Sequence, residues 1–427
     1  EALTSLHAAV ALMNVSCGDG NKVALAREGS VLRALRLLMV RRWKHSHAET
    51  AQLKAVTCLK NLSNADENHG VIMDGLGLVE SVGVALREGA TSVKINACLA
   101  LMNLSIYDEH KHRLFQTRGI VDALVEILLE EDGEESVAIT ACSTLSNMAI
   151  GYENKVPLFR YPGFVEVILE VVKRGEGKVR NKACSILWSF AAEMKNQVPM
   201  VQRNDILPPL LSILATSPSS EATNKSIATL ALLAESPANA LPLLSAQTLP
   251  PILSILTKVG PDPSQWKDNT ASWCLSFLMN VAQNDDALPL LRDGGVIELL
   301  VPLVTLDNYQ SLKASMTVLY LCPYEDFEAT HSLIRQTERI IPKIVTLLKN
   351  TLLEKGGEGY KYGVFTLRSS VGCIAKLASG PEFVKEIIAT RPVYECLIKV
   401  LYDYCVGGGK KGGIVGGGRD DALSATH

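Results

Sequence analysis

"NACLALMNLSIYDEHKHRLF", residues 96–115, reads as the end of one apolar helix, a polar turn and the start of another. Asn103 interrupts the apolar run. A carboxamide inside a hydrophobic helix costs free energy unless its polar atoms find partners. The phrase recurs as "ALMNVS" at 11–16, "CLKNLS" at 58–63, "TLSNMA" at 144–149, "ILWSFA" at 186–191 and "FLMNVA" at 277–282. Weaker copies are "TLALLA" at 229–234, "VLYLCP" at 318–323 and "IAKLAS" at 374–379. The marked position runs Asn14, Asn61, Asn103, Asn147, Ser189, Leu232, Asn280, Tyr320 and Lys376, at spacings of 47, 42, 44, 42, 43, 48, 40 and 56 residues. Periods in the forties, with helix-forming sequence throughout, are the signature of an α-solenoid.

Other features keep the same register. Asn21, Asn68, Asn154, Asn196 and Asn239 each follow the marked position by seven residues. Asn favours helix N-caps and turns, so this slot is expected to start the first helix of each repeat. A glycine follows at Gly29, Gly119 and Gly163, with Gly75 or Gly77 and Gly295 nearby in their repeats. Glycine there permits a sharp bend into the next helix. Amphipathic runs such as "IVDALVEILLE" (120–130) come next, then a polar turn and the helix ending in the Asn phrase. Each unit therefore reads as short helix, bend, helix, turn, helix.

This pattern resembles the armadillo repeat over about residues 1–405, in roughly nine units, and is most similar to the repeats of plant U-box ubiquitin ligases and vacuolar-inheritance armadillo scaffolds. The resemblance implies an all-α fold: a right-handed α-solenoid with three helices per repeat. It also implies that the third helices line a concave groove in which Asn contacts the backbone of an extended peptide, here at Asn14, Asn61, Asn103, Asn147 and Asn280. Capping of the third helix within its own repeat is the alternative role for the same residues.

Seven residues before the marked position, on the same helix face, stand His7, Lys54, Asn96, Thr140, Lys182, Lys225, Trp273, Lys313 and Ser369. Four lysines and no acid would suit acidic or phosphorylated extended partners. Solvated lysines on an ordinary helix face are the plainer reading. Four residues before it stand Val10, Thr57, Leu99, Ser143, Ser185, Ala228, Ser276, Met316 and Gly372. Importin-α, similar in fold, carries Trp at that place. Its absence here disfavours recognition of basic import signals.

Composition narrows the remaining classes. Of 427 residues, 47% are hydrophobic and only 5% aromatic, which favours helix-on-helix packing. A net charge of -3 gives no general attraction to nucleic acid. Ten cysteines without a CxxC pair read as buried small side chains in a reducing compartment, cytoplasmic or nuclear. The run "YDEHKH" (107–112) is expected to be a solvated inter-repeat loop, not a metal site, and "RRWK" (41–44) and "HSH" (45–47) are read as turns. No nucleophile motif, Walker sequence or dinucleotide fingerprint occurs, so the expectation is a non-enzymatic, cofactor-free protein with protein partners. No window of ~18 apolar residues reads as a membrane span. The stretch 353–363 is expected to be a loop insertion and 406–427 a Gly-rich flexible tail. The chain opens in mid-helix at Glu1, so it reads as a fragment whose truncated first repeat could self-associate.

Overall fold

The structure, a computed structural model, describes residues 2–40, 47–75, 77–130, 133–216, 220–266, 268–304, 309–322, 340–353, 355–356, 359–362, 365–378 and 395–401. Helix–helix packing divides the chain into two units, Glu1–Pro209 and Leu210–His427, where the sequence reads one array.

The first unit begins with α1 (Ala2–Val15), which carries the first Asn phrase. Three-helix repeats follow: α2 (Asp19–Arg27), α3 (Gly29–Val40) and α4 (Ala48–Leu62), then α5 (His69–Asp74), α6 (Leu78–Glu88) and α7 (Thr91–Leu104). Next come α8 (Asp108–Gln116), α9 (Ile120–Leu129) and α10 (Glu135–Ile150), then α11 (Lys155–Phe159), α12 (Phe164–Arg174) and α13 (Gly177–Ala191). Helix α14 (Met194–Gln202) opens a further repeat, and the unit boundary falls within α15 (Leu207–Thr216). Like helices stack: α1, α4, α7, α10 and α13 pack in succession, as do α3, α6, α9 and α12.

The local chemistry explains the elements. In α12, "FVEVILEVVKR", Phe164, Val165, Ile168, Leu169 and Val172 are buried while Glu166 and Glu170 remain outside, giving one broad apolar face. Lys173 and Arg174 occupy its last turn, where cations suit the helix dipole. The helix stops at Gly175, where a Cβ would lie 2.4 Å from Val171 O and 2.7 Å from Val179 Cγ1. It starts at Gly163, whose φ of 74° places it in the left-handed region. Gly77, Gly119 and Gly295 repeat that conformation at the same bend, and Gln247 takes it with φ 61°. Gly29 does not; it begins α3 without a positive φ.

The second unit contains α16 (Glu221–Leu233), α17 (Ala240–Ser245), α18 (Leu249–Val259), α19 (Thr270–Val281), α20 (Leu288–Asp293), α21 (Val296–Val304) and α22 (Tyr309–Leu321). Then follow α23 (Ile340–Leu353) and α24 (Leu367–Ala378). Third helices again stack, α16 on α19 and α19 on α22. The stretch expected as a loop insertion instead carries three short antiparallel strands: β1 (Lys355–Gly356), β2 (Gly359–Tyr362) and β3 (Phe365–Thr366). Lys355 sits opposite Tyr360, and Tyr362 opposite Phe365. Aromatic residues at alternate positions, Tyr360 and Tyr362, favour such pairing over coil. The sequence calls on 41–46 and on the 406–427 tail lie outside the described residues.

A second correction concerns "YDEHKH". Residues 108–112 open helix α8, and His110 and Lys111 are buried. Asp108 pairs with Lys111 at 2.6 Å across one helical turn, a local stabilisation that a spacing-based loop reading overlooks.

Candidate functional site

The marked asparagines sit at the ends of stacked third helices, and their amide groups bond between repeats. Asn61 Nδ2 donates to Ser16 Oγ at 3.0 Å, Asn103 Nδ2 to Ser63 Oγ at 3.0 Å, and Asn147 Nδ2 to Ser105 Oγ at 3.1 Å. Each accepting serine lies two residues beyond the asparagine of the preceding repeat. Each serine hydroxyl also donates back to its own helix: Ser16 to Met13 O at 2.6 Å, Ser63 to Lys60 O at 2.8 Å, Ser105 to Met102 O at 2.7 Å. Thus the serine closes its own helix end and the asparagine bridges to it from the next repeat. This corrects the alternative that the asparagine caps its own helix. In the second unit Asn280 Nδ2 donates directly to Ala231 O at 3.0 Å.

What remains outward is the acceptor side. Among the described residues, Oδ1 of Asn61, Asn103, Asn147 and Asn280 accepts no hydrogen bond, and none of these oxygens is buried. Asn61 is itself largely buried, Asn103, Asn147 and Asn280 are half-buried, and Asn14 is exposed. Four residues before the slot, Thr57, Ser143 and Ser185 each donate their hydroxyl to the carbonyl four residues back, at 2.7, 2.7 and 2.9 Å. Each of these hydroxyl oxygens keeps acceptor lone pairs.

The lysine column divides. Lys54, on α4, and Lys182, on α13, are half-buried. Asn96, between them on α7, donates to Ser92 O in its own helix at 2.8 Å. In the second unit Lys225 and Trp273 are half-buried on α16 and α19. Lys313 is buried, and its Nζ donates to Ser272 O at 3.0 Å and Ser272 Oγ at 2.8 Å, 5.3 Å from the Tyr309 ring centroid. Burial pushes its ammonium down to about 8, because water no longer stabilises the charge. Lys313 is therefore a packing residue and not part of an open surface, which corrects that site assignment.

The asparagines seven residues further on form a second, deeper series. Asn68 Nδ2 donates to Lys22 O at 3.1 Å and Leu62 O at 2.9 Å. Asn154 donates to Lys111 O and Met148 O, both at 2.9 Å, and Asn196 to Lys155 O at 3.0 Å and Phe190 O at 3.2 Å. All three are buried. The expected N-cap role would have the side-chain oxygen accept from the first turn. Instead the amide donates, once to the end of the third helix and once to the preceding repeat. A helix does start after Asn68 and Asn154, whereas α14 has already begun at Met194 before Asn196, and in all three the side chain serves as a staple. Among the described residues no cluster of three or more His, Cys, Asp or Glu could hold a metal ion, and no single helix is long and apolar enough to cross a membrane.

Stacked three-helix repeats joined by side-chain ladders define an armadillo-like α-solenoid. No established family profile matches the chain. A stretch of 91 residues, 21% of this chain, is 34% identical to U-box domain-containing protein 12 of Arabidopsis thaliana, covering 13% of that protein. Another of 135 residues, 29% of this chain, is 29% identical to U-box domain-containing protein 16 of the same plant, covering 20% of it. The matches thus span a fifth or less of these curated relatives. An engineered protein solved by crystallography aligns with 100% of this chain and 94% of its own, with a TM-score of 0.68 at 22% identity, a likeness of fold.

Proposed function

We propose that this protein is a non-enzymatic scaffold that holds extended segments of partner proteins along the surface of its third helices. The register of outward acceptor oxygens at Asn103 and Asn147, backed by the Thr57, Ser143 and Ser185 hydroxyls, carries this reading. An extended segment presents backbone N–H groups whatever its sequence, so such a column binds main chain, and side chains add selectivity. Lys54 and Lys182 would select acidic or phosphorylated side chains in the first unit. The free, buried thiols of Cys58, Cys98, Cys142 and Cys274 suit a reducing compartment, cytoplasmic or nuclear.

A second reading, favoured by the two U-box relatives, makes the chain the substrate-recognition arm of a U-box ubiquitin ligase. Full-length sequence carrying or lacking a U-box decides between an arm and a free scaffold. An importin-α-like adaptor remains disfavoured, because Trp188 and Trp273 stand outside the column that adaptor uses.

The binding mode is tested by capturing partners from the source cell with the wild-type chain and with a folded Lys54→Glu/Lys182→Glu variant. Selective loss of acidic or phosphorylated partners supports it. An unchanged set of partners removes the charge selection.

A further inference from the structure

In three successive repeats of the first unit, the junction between the third helix and the next repeat exposes large apolar side chains. Ile106 and Tyr107 are 58% and 42% exposed, Ile150 and Tyr152 48% and 71%, and Met194 63%. Ile106 and Ile150 each follow their marked asparagine by three residues, and Tyr107, Tyr152 and Met194 follow the marked position by four or five. Since α7, α10 and α13 pack side by side, equivalent positions form a stripe along one edge of the unit. Single exposed apolar residues are ordinary surface, but a column repeated in register is an interaction feature.

Carboxylates are interleaved with the stripe. Asp66, Glu67, Asp108, Glu109 and Glu153 are exposed and Glu193 is half-buried. Asp66 Oδ2 accepts the Tyr107 hydroxyl at 2.6 Å, which fixes that ring across two repeats. Some of this acid serves the first turn of the following helix, as the Asp108–Lys111 pair at 2.6 Å does. Lys155 Nζ lies 6.0 Å from the Tyr152 ring centroid, so a cation already occupies one such face. Glu67 is exposed, and Glu109, 76% exposed in its side chain, lies with Oε1 3.2 Å from His110 Nε2.

We infer that this edge docks a cationic amphipathic helix of a partner protein. The edge offers carbon surface and exposed carboxylates, the complement of a helix with one apolar and one basic face. A helix satisfies its own backbone. The spacing also fits: stacked helices lie ~10 Å apart, and seven residues of helix rise about 10.5 Å, so each repeat meets one heptad. The stripe continues from the ends of the third helices and includes neither Lys54 nor Lys182, so the two surfaces are tested apart.

The test uses the full chain and a labelled synthetic peptide of about 21 residues, three heptads long, with Leu on one face and Lys on the other. Fluorescence anisotropy is expected to show binding that falls with added salt and weakens about tenfold in an Ile106→Ser/Ile150→Ser/Met194→Ser variant. Lys54→Glu/Lys182→Glu is expected to leave it unchanged, which separates this edge from the proposed partner surface. A peptide of equal composition with two central prolines, unable to stay helical, is expected not to bind. Absence of wild-type binding, equal binding by the triple variant, or equal binding of the proline peptide would overturn the inference. If the triple variant does not fold, Tyr152→Ser alone gives the same reading.

Discussion

Asn103 donates through Nδ2 to Ser63 Oγ at 3.0 Å and to Asn64 Oδ1 at 2.7 Å, so one carboxamide spends both its hydrogens on the preceding repeat. The stacking of two repeats is therefore specified by side chains at their exposed ends as well as by the apolar core. Asn103→Ala is expected to lower stability by about 1–2 kcal/mol, because Ser63 and Asn64 lose a donor each. A double-mutant cycle with Ser63→Ala measured by urea denaturation should give a coupling of about 1 kcal/mol. Additive effects would mean that the bond does not tie the repeats.

Asn154 is a more severe case. It is fully buried, donates to Lys111 O and Met148 O, and its Oδ1 lies 2.9 Å from His112 Nδ1. Asn154→Ala removes two buried hydrogen bonds between elements, although Met148 O keeps the Gly151 N–H at 3.2 Å, and should cost about 2 kcal/mol. Asn21, exposed and donating only to Val15 O at 3.1 Å, should cost less than about 1 kcal/mol on the same substitution. Denaturation midpoints of the two variants decide the ranking.

Gln247 holds a left-handed conformation, φ 61°, that glycine supplies at Gly77, Gly119 and Gly163. A side chain there costs about 1–2 kcal/mol of backbone strain, partly offset by the greater freedom glycine has when unfolded. Gln247→Gly should thus stabilise the protein by up to about 1 kcal/mol. Thermal unfolding checks it, and a lowered midpoint would count against the strain.

Lys313 predicts a pH effect. Its ammonium titrates at about 8 when folded and near the ordinary 10.5 when unfolded. Between those values the unfolded chain binds the extra proton, so this site's contribution to stability rises as pH increases from about 8 to 10.5 and is flat below about 8. Comparing wild type with Lys313→Met across that range isolates the lysine from other titrating groups. Parallel stability curves would contradict the assignment.

Much of this architecture was legible in the Asn phrase. The triplets Asn14-Val-Ser16, Asn61-Leu-Ser63 and Asn103-Leu-Ser105 contain both halves of the ladder, but the bond joins the asparagine of one repeat to the serine of another, about 40 residues away. Periodicity gives the register of such residues and not which partner they choose. Lys313 misled for a related reason: its place in the column matches Lys54, yet neighbouring Ser272 and Tyr309 cover it. The strands at 355–356, 359–362 and 365–366 are not legible from sequence, because a glycine-rich run with a few tyrosines reads as loop until its residues are paired.

The central claim, that partner segments lie on the third helices, is tested most directly by photo-crosslinking. A benzoyl-phenylalanine at Ser143, on the acceptor column of α10, is compared with one at the exposed Leu129 at the end of α9. With a captured partner bound, the Ser143 probe is predicted to link to one short continuous partner segment and the Leu129 probe to none. Linkage from Leu129 and not from Ser143 would contradict the account.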